Sequence, residues 1–265
     1  MKAALNRIYS DYLMPSRLAE YEALLRQAND AGYQQCSVRS FFRALDRPGV
    51  ADGKVLVHRH DIDSDLRTAR KLFALEVKHG VKASYYFRLS TLDFGFMREI
   101  EAAGSEASYH YEEVADFAKR HKVRSGDEVR RHLPAIRAEF EHNFVHIVER
   151  LGAPMATVAS HGDFVNRRLK VLNYELLRDP ALRARCGIEC ESYDDALLAN
   201  FDLYISDRPY PQNYHPRSPF DALGQQRRIC FLTHPVHWET NWLESTRCNL
   251  RRLSEELAWR TLISR

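Results

Sequence analysis

The sequence predicts an α/β protein organised as one barrel-like domain, and three observations carry that expectation. Short apolar runs alternate with helical patterns from Val55 to Thr233 in the manner of βα units. Several of these runs end directly in histidines and acids, where the loops after parallel strands build binding sites. No repeat, low-complexity segment or linker divides the 265 residues, a length that can bury one large core.

Taken in order, residues 16–31 place Leu18, Tyr21, Leu24 and Leu25 on one helical stripe that Gly32 ends. Ser37 to Leu45 reads as a short helix and Arg47, Pro48 and Gly49 as a turn, so residues 1–50 form a helical extension. The barrel then spans 54–238. Its first strand, Val55-Leu56-Val57, runs into His58, Arg59, His60, Asp61, Ile62 and Asp63, and a helix over 66–78 follows with Ser64 and Asp65 available as caps. A second strand covers 82–88, a helix 94–103 ends at Gly104, and a third strand covers 106–111. Residues 127–151 form a long amphipathic helix in which Pro134 is tolerated if a first short turn breaks there. Strand 156–159 closes on Ser160-His161-Gly162-Asp163, helix 165–178 leads to a strand around 187–191, and strand 203–206 ends at Asp207. Arg208 to Pro219 holds four of the ten prolines and reads as an irregular wall or lid. The last strand, 228–233, closes on His234-Pro235-Val236-His237-Trp238, and residues 239–263 form a terminal helix.

Composition narrows the function classes. The chain is 45% hydrophobic and 28% charged with a net charge of +3, too mild to argue for nucleic acid. No apolar run approaches the ~18 residues of a bilayer span. The first fifteen residues lack a continuous apolar core and a cleavage site, so no signal peptide and a cytoplasmic location are expected. Five cysteines without a zinc-ribbon spacing fit reduced core thiols, Cys186 and Cys190 included. Nothing in the sequence marks an oligomeric interface.

Along the first strand, alternation puts Asp61 and Asp63 on one face with Arg59, and His58, His60 and Ile62 on the other. Two carboxylates in one small volume call for a proton, a cation or a metal between them, which suggests a general base or a metal site. The plainer reading makes one of them a helix cap. Other strand ends deliver His110 with Glu112 and Glu113, His161, Asp207, and His234 with His237. Mixed carboxylate and imidazole donors suit zinc and other first-row metals. Tyr85, Tyr86, Tyr111, Trp238 and Trp242 are candidate sugar-stacking surfaces or core residues.

The series HDID, ASYYFR, EASYHYE, SHG, YISD and LTHPVHW resembles, in order, the motifs of the polysaccharide deacetylase family, the NodB-homology or carbohydrate esterase family 4 group. It is most similar to the His-Asp-Xaa-Asp branch associated with surface polysaccharide (O-antigen or capsule) biosynthesis. The resemblance covers Val55 to Trp238. It implies a distorted (β/α) barrel of about seven strands and metal-dependent removal of an acyl group from an N-acylated sugar or glycan. Carried over, Asp61 matches the general base, Asp63 and His110 match metal ligands, and His234 matches the general acid. The second metal histidine is absent, since position 114 is Val114, so His161 is expected to supply that imidazole, with Glu112 or Glu113 as substitute. The expected cofactor is one divalent metal, zinc by its donors. Arg59, Asp207, His237 and Trp238 are expected in support or in substrate binding.

Two rival readings stand beside this one. His58-Arg59-His60 is similar to the His-Xaa-His motif of the amidohydrolase and PHP superfamilies, with His110, His161 and Asp207 as further ligands. A non-catalytic carbohydrate-binding protein with a degraded metal site is the other.

Overall fold

The computed structural model describes residues 2–45 and 53–263, so the turn expected at Arg47, Pro48 and Gly49 lies outside the described residues. Among the described residues nine strands form one sheet: β1 Gln34–Cys36, β2 Val55–Ile62, β3 Ser84–Phe87, β4 Glu106–Tyr111, β5 Thr157–Ser160, β6 Cys190–Glu191, β7 Leu203–Asp207, β8 Tyr214–His215 and β9 Arg228–Thr233. Their order is β6-β5-β4-β3-β2-β9-β7-β8, with β1 paired to β2 off that path. Every pairing is parallel except β7 with β8. β1 runs beside the first half of β2 and β3 beside the second, so Gln34 faces Val55 and Ser84 faces Arg59.

The sheet curls. Val55 and Val57 of β2, Ala159 of β5, Cys190 of β6 and Cys230 of β9 share one buried cluster, which brings well-separated strands together on the concave side. Closure into a seven-stranded barrel is not what the described residues show: β6 and β8 end the sheet instead of pairing. β6 has two residues, the chain turns into the helix Asp195–Leu198 soon after it, and Leu197 and Phe201 pack into the concave cluster.

On the convex side, Tyr21, Leu24 and Leu25 of the helix Leu18–Asp30 pack with Leu56, Ile205, Ile229 and Phe231. Farther along the sheet, Ile136, Phe140, Phe144, Ile147 and Leu151 form the inner stripe of the helix Leu133–Leu151, packed with Tyr109, Tyr111 and Val158. Each fully buried apolar side chain of this kind contributes about 1.5–3 kcal/mol.

Several elements differ from expectation. β2 continues through Ile62 because the side chains of both its faces find partners, and Gln34–Cys36, inside the expected helical extension, is a strand. A helix at Glu113–His121 follows β4 directly. The long helix divides into Gly126–Arg131 and Leu133–Leu151, with Pro134 in the first turn of the second, where its missing N–H costs nothing. The helix expected over 165–178 stops at Leu169, where Lys170 turns left-handed at φ 55°, and resumes as a 3-10 helix at Asn173–Arg178. Residues 180–186 are helical, which shortens the strand expected around 187–191.

Candidate active site

β2 carries ionisable groups on both faces, all buried. On the concave face Arg59 clamps Asp61 through two bonds, Nε to Oδ1 and Nη2 to Oδ2, each 2.9 Å. Tyr204 accepts from Arg59 Nη1 at 3.2 Å, and the guanidinium lies 4.4 Å from the Tyr193 ring centre. Burial alone would raise Asp61; the Arg59 charge, aided by His110, outweighs it and leaves the carboxyl below its ordinary value.

The convex face of β2 is occupied differently. His58 Nε2 meets Gln35 Oε1 at 2.7 Å, and His60 sits between Thr233 Oγ1 at 2.5 Å and Glu76 Oε1 at 2.6 Å. Tyr21 and Tyr85 also donate to Glu76. The histidines of the His-Xaa-His reading are therefore engaged in a buried network on the side opposite Asp61, and the structure does not bring them to His110, His161 or Asp207.

Asp63 follows the end of β2, His110 is the second-to-last residue of β4, and His161 follows β5, so side chains from three parallel strands meet above the sheet. One ligand atom from each lies within 4.8 Å of the others. His110 Nε2 is 3.3 Å from Asp63 Oδ1 and 3.4 Å from Asp61 Oδ2, and His161 Nε2 is 3.5 Å from Asp63 Oδ1. The other nitrogen of His110, Nδ1, donates to the Ala159 carbonyl at 3.0 Å, which fixes the tautomer that leaves Nε2 free to coordinate. His161 Nδ1 comes 3.2 Å from Glu112 Oε2, out of line for a hydrogen bond but close enough for charge to hold the ring. Glu112 is in turn gripped by Arg88 at 2.8 and 2.5 Å.

Asp63 Oδ1, which faces both Nε2 atoms, is buried and has no hydrogen bond. An orphaned carboxylate oxygen opposite two imidazole nitrogens is what a cation would satisfy, so the residues fit a metal ion, and one O and two N donors suit zinc. Burial would raise Asp63, yet His161 and His110 outweigh it and hold the carboxyl well below the usual range. Burial likewise opposes charge on His110, and Asp61 and Asp63 override it and raise the imidazole.

His234 follows β9. Its Nδ1 meets Asp207 Oδ1 at 2.7 Å, and the same carboxylate accepts from the His234 backbone N at 2.8 Å and from Trp238 Nε1 at 3.0 Å. His237 Nδ1 lies 3.1 Å from Asp207 Oδ1. Burial depresses His234, but Asp207 prevails and raises it to about 9, so the ring is a cation at neutral pH.

Among the described residues two other groups have ligand spacing: Asp207 with His234 and His237, and Glu112 with His161 and Asp163. Their carboxylates are already used, Asp207 by three donors, Glu112 by Arg88, and Asp163 by Lys119 at 2.7 Å and the Val165 N–H at 2.8 Å. Of these three groups among the described residues, the Asp63 set alone presents an acidic oxygen without a hydrogen bond.

Some candidates lie elsewhere. Glu113 turns to Tyr109 at 2.5 Å and Asn143 at 3.0 Å, away from the three ligands, because consecutive residues at the helix start face different ways. Val114 is buried in the core of that helix. Trp238 and Tyr85, Tyr86 and Tyr111 are fully buried and cannot stack on a sugar, whereas Trp242 is 68% exposed. A cavity of about 860 Å³ opens over the site, lined by Asp63, Arg88, His161 and His237 below, by Pro209 and Tyr210 of the proline-rich loop, and by residues of both terminal segments. Sequence reasoning missed Arg88 and the part of the roof that the terminal segments supply, whereas Pro209 and Tyr210 belong to the loop expected as a wall or lid. Arg88 stands at a strand end, as the other site residues do, and that signal was available; the approach of the two termini left none.

No family model matches the chain. No curated protein matches it. Among solved structures it is similar to the Streptococcus pyogenes deacetylase PplD in complex with acetate, at 15% sequence identity over 80% of each chain with a TM-score of 0.45. No helix among the described residues is long and apolar enough to cross a membrane.

Proposed function

We propose that this protein is a metal-dependent hydrolase that removes an acyl group, most simply N-acetyl, from a sugar or glycan of surface-polysaccharide synthesis. One observation carries the reading: Asp63 Oδ1, buried without a hydrogen bond, faces Nε2 of His110 at 3.3 Å and of His161 at 3.5 Å. The ordered motif series from HDID to LTHPVHW supports the same reading.

Asp63, His110 and His161 are the residues that would hold the ion, which when bound supplies Lewis acidity toward an acyl carbonyl and lowers the pKa of water. Asp61 takes a proton from the attacking water on its carboxylate. Arg59 keeps that carboxylate ionised and aimed, at some cost in basicity. With Nδ1 committed to Asp207, His234 has Nε2 left to protonate the departing nitrogen. Arg88 fixes Glu112, and Glu112 faces the far side of the His161 ring.

Elemental analysis of protein purified without a metal-affinity tag tests this. About one equivalent of zinc or another divalent metal is expected, lost in Asp63→Ala and in His161→Ala. Asp61→Asn should keep the metal and release acetate from N-acetylated sugars about 10²–10⁴-fold more slowly. No bound metal after zinc loading overturns the reading; metal without turnover on any N-acylated sugar points instead to a glycan-binding protein.

A further inference from the structure

The two segments that roof the cavity also carry a concentration of exposed apolar surface. The terminal helix Trp242–Ile263 and the N-terminal stretch lie side by side: Trp242 Nε1 donates to the Tyr12 carbonyl at 3.1 Å, Asn249 to Asp11 at 2.9 Å, and Arg7 to Asn249 at 2.6 Å. As the helix advances from 242 to 249 its neighbour runs back from 12 to 7, so the pair is antiparallel. On the inner side, Ser245 and Trp259 are buried, and Ser245 and Cys248 line the cavity. On the outer side, Trp242, Leu243, Leu250 and Leu253 are each between 56% and 68% exposed. At about 100° per residue these four fall within an arc of roughly 100°, and Thr246 is the residue between them. The neighbouring segment adds Ile8 at 50% and Leu13 at 64%.

A charge pattern accompanies the stripe. No acid falls in the arc, and along one flank stand Arg247 and Arg251, with side chains 69% and 46% exposed. Their acidic neighbours are distant, Glu244 at 4.0 Å and Glu255 at 3.8 Å, and less exposed at 28% and 32%. Contacts this long between solvated side chains hold the guanidiniums weakly. A coiled-coil seam with a second copy would need a narrower stripe and would not enlist the N-terminal segment. A broad leucine face with a tryptophan at one end and arginines alongside matches the headgroup boundary of an anionic bilayer.

We propose that this face docks the protein peripherally on an anionic phospholipid surface. Because the inner side of the same helix lines the cavity above Asp63 and His161, docking holds that cavity one helix diameter, ~10 Å, from the lipid surface. A glycan carried on a lipid then becomes the substrate class, a step that rests on the hydrolase reading; the docking itself does not.

Flotation of the full chain with vesicles tests the docking. Vesicles of phosphatidylcholine with one third phosphatidylglycerol should carry the protein, phosphatidylcholine alone should carry much less, and raised salt should release it. At about 1 kcal/mol per basic residue, Arg247→Gln with Arg251→Gln should weaken partition about thirtyfold. Leu250→Glu with Leu253→Glu should abolish it while the unfolding midpoint and metal content stay at wild-type values. Asp63→Ala should float as wild type does, which separates failure of docking from failure of the hydrolase reading. Equal flotation of the leucine variant and wild type overturns the proposal. So does the absence of vesicle binding together with a dimer that the leucine variant dissociates, which would assign the face to a second copy.

Discussion

His234 holds its proton because of Asp207. The imidazole is raised from an ordinary 6.5 to about 9 against the cost of burial, so the charged pair stabilises the fold fully below 6.5 and that contribution is lost as pH rises through about 9. The proton available to a leaving nitrogen disappears over the same window. Turnover should therefore fall above about pH 9, and Asp207→Asn should move that fall toward 6.5. Matched pH–rate profiles check this, and an unmoved limb in the variant would remove Asp207 from its positioning role. At this scale strand alternation made much of the site legible: it separates Asp61 from His58 and His60, as the structure does. What alternation cannot reach is the residue just past a strand end. Alternation does not say which of Glu112 and Glu113 turns to the site, because the backbone changes from strand to helix between them, and it is Glu112 that faces His161 while Glu113 faces Asn143.

The elements were read best where periodicity was long and worst where it was short. Helix Leu66–Lys78 was expected as found, whereas the strand Gln34–Cys36, three residues long, carried too little pattern to be seen. The helix Gly126–Arg131 shows how tightly one junction is packed. A Cβ at Gly126 would lie 2.5 Å from the Leu169 carbonyl oxygen and 3.0 Å from Val171 Cγ2, and a backbone oxygen cannot step aside. Gly126→Ala should therefore cost about 1–3 kcal/mol. Gly162→Ala, which meets nothing within 4 Å at an unstrained φ, should stay within about 0.5 kcal/mol. Urea unfolding of both variants decides; equal midpoints would mean that the Gly126 contact relaxes freely.

Across the whole molecule, Asp63, His110 and His161 come from the ends of β2, β4 and β5, so an ion shared among them would tie β2 to the directly paired β4 and β5, from which β3 separates it. Ligand binding to the native state alone stabilises by about 2.7 kcal/mol at a hundred times Kd. Zinc should raise the unfolding midpoint, a chelator should reverse the rise, and Asp63→Ala should show neither effect in differential scanning calorimetry. The α/β class was legible from the alternation of elements, but closure was not, because it depends on whether two residues at β6 suffice to reach β7. The two faces of β2 have one more consequence, for how the chain avoids error. Were the strand to slip by one residue, Arg59 and Asp61 would turn into the layer that holds Glu76, and His58 and His60 would turn into the concave core. A buried charge without its partner costs several kcal/mol, so no near-native decoy of this sheet can hide in a neutral register. The residues proposed to act on substrate thereby also serve the nascent chain as a key that only one alignment turns.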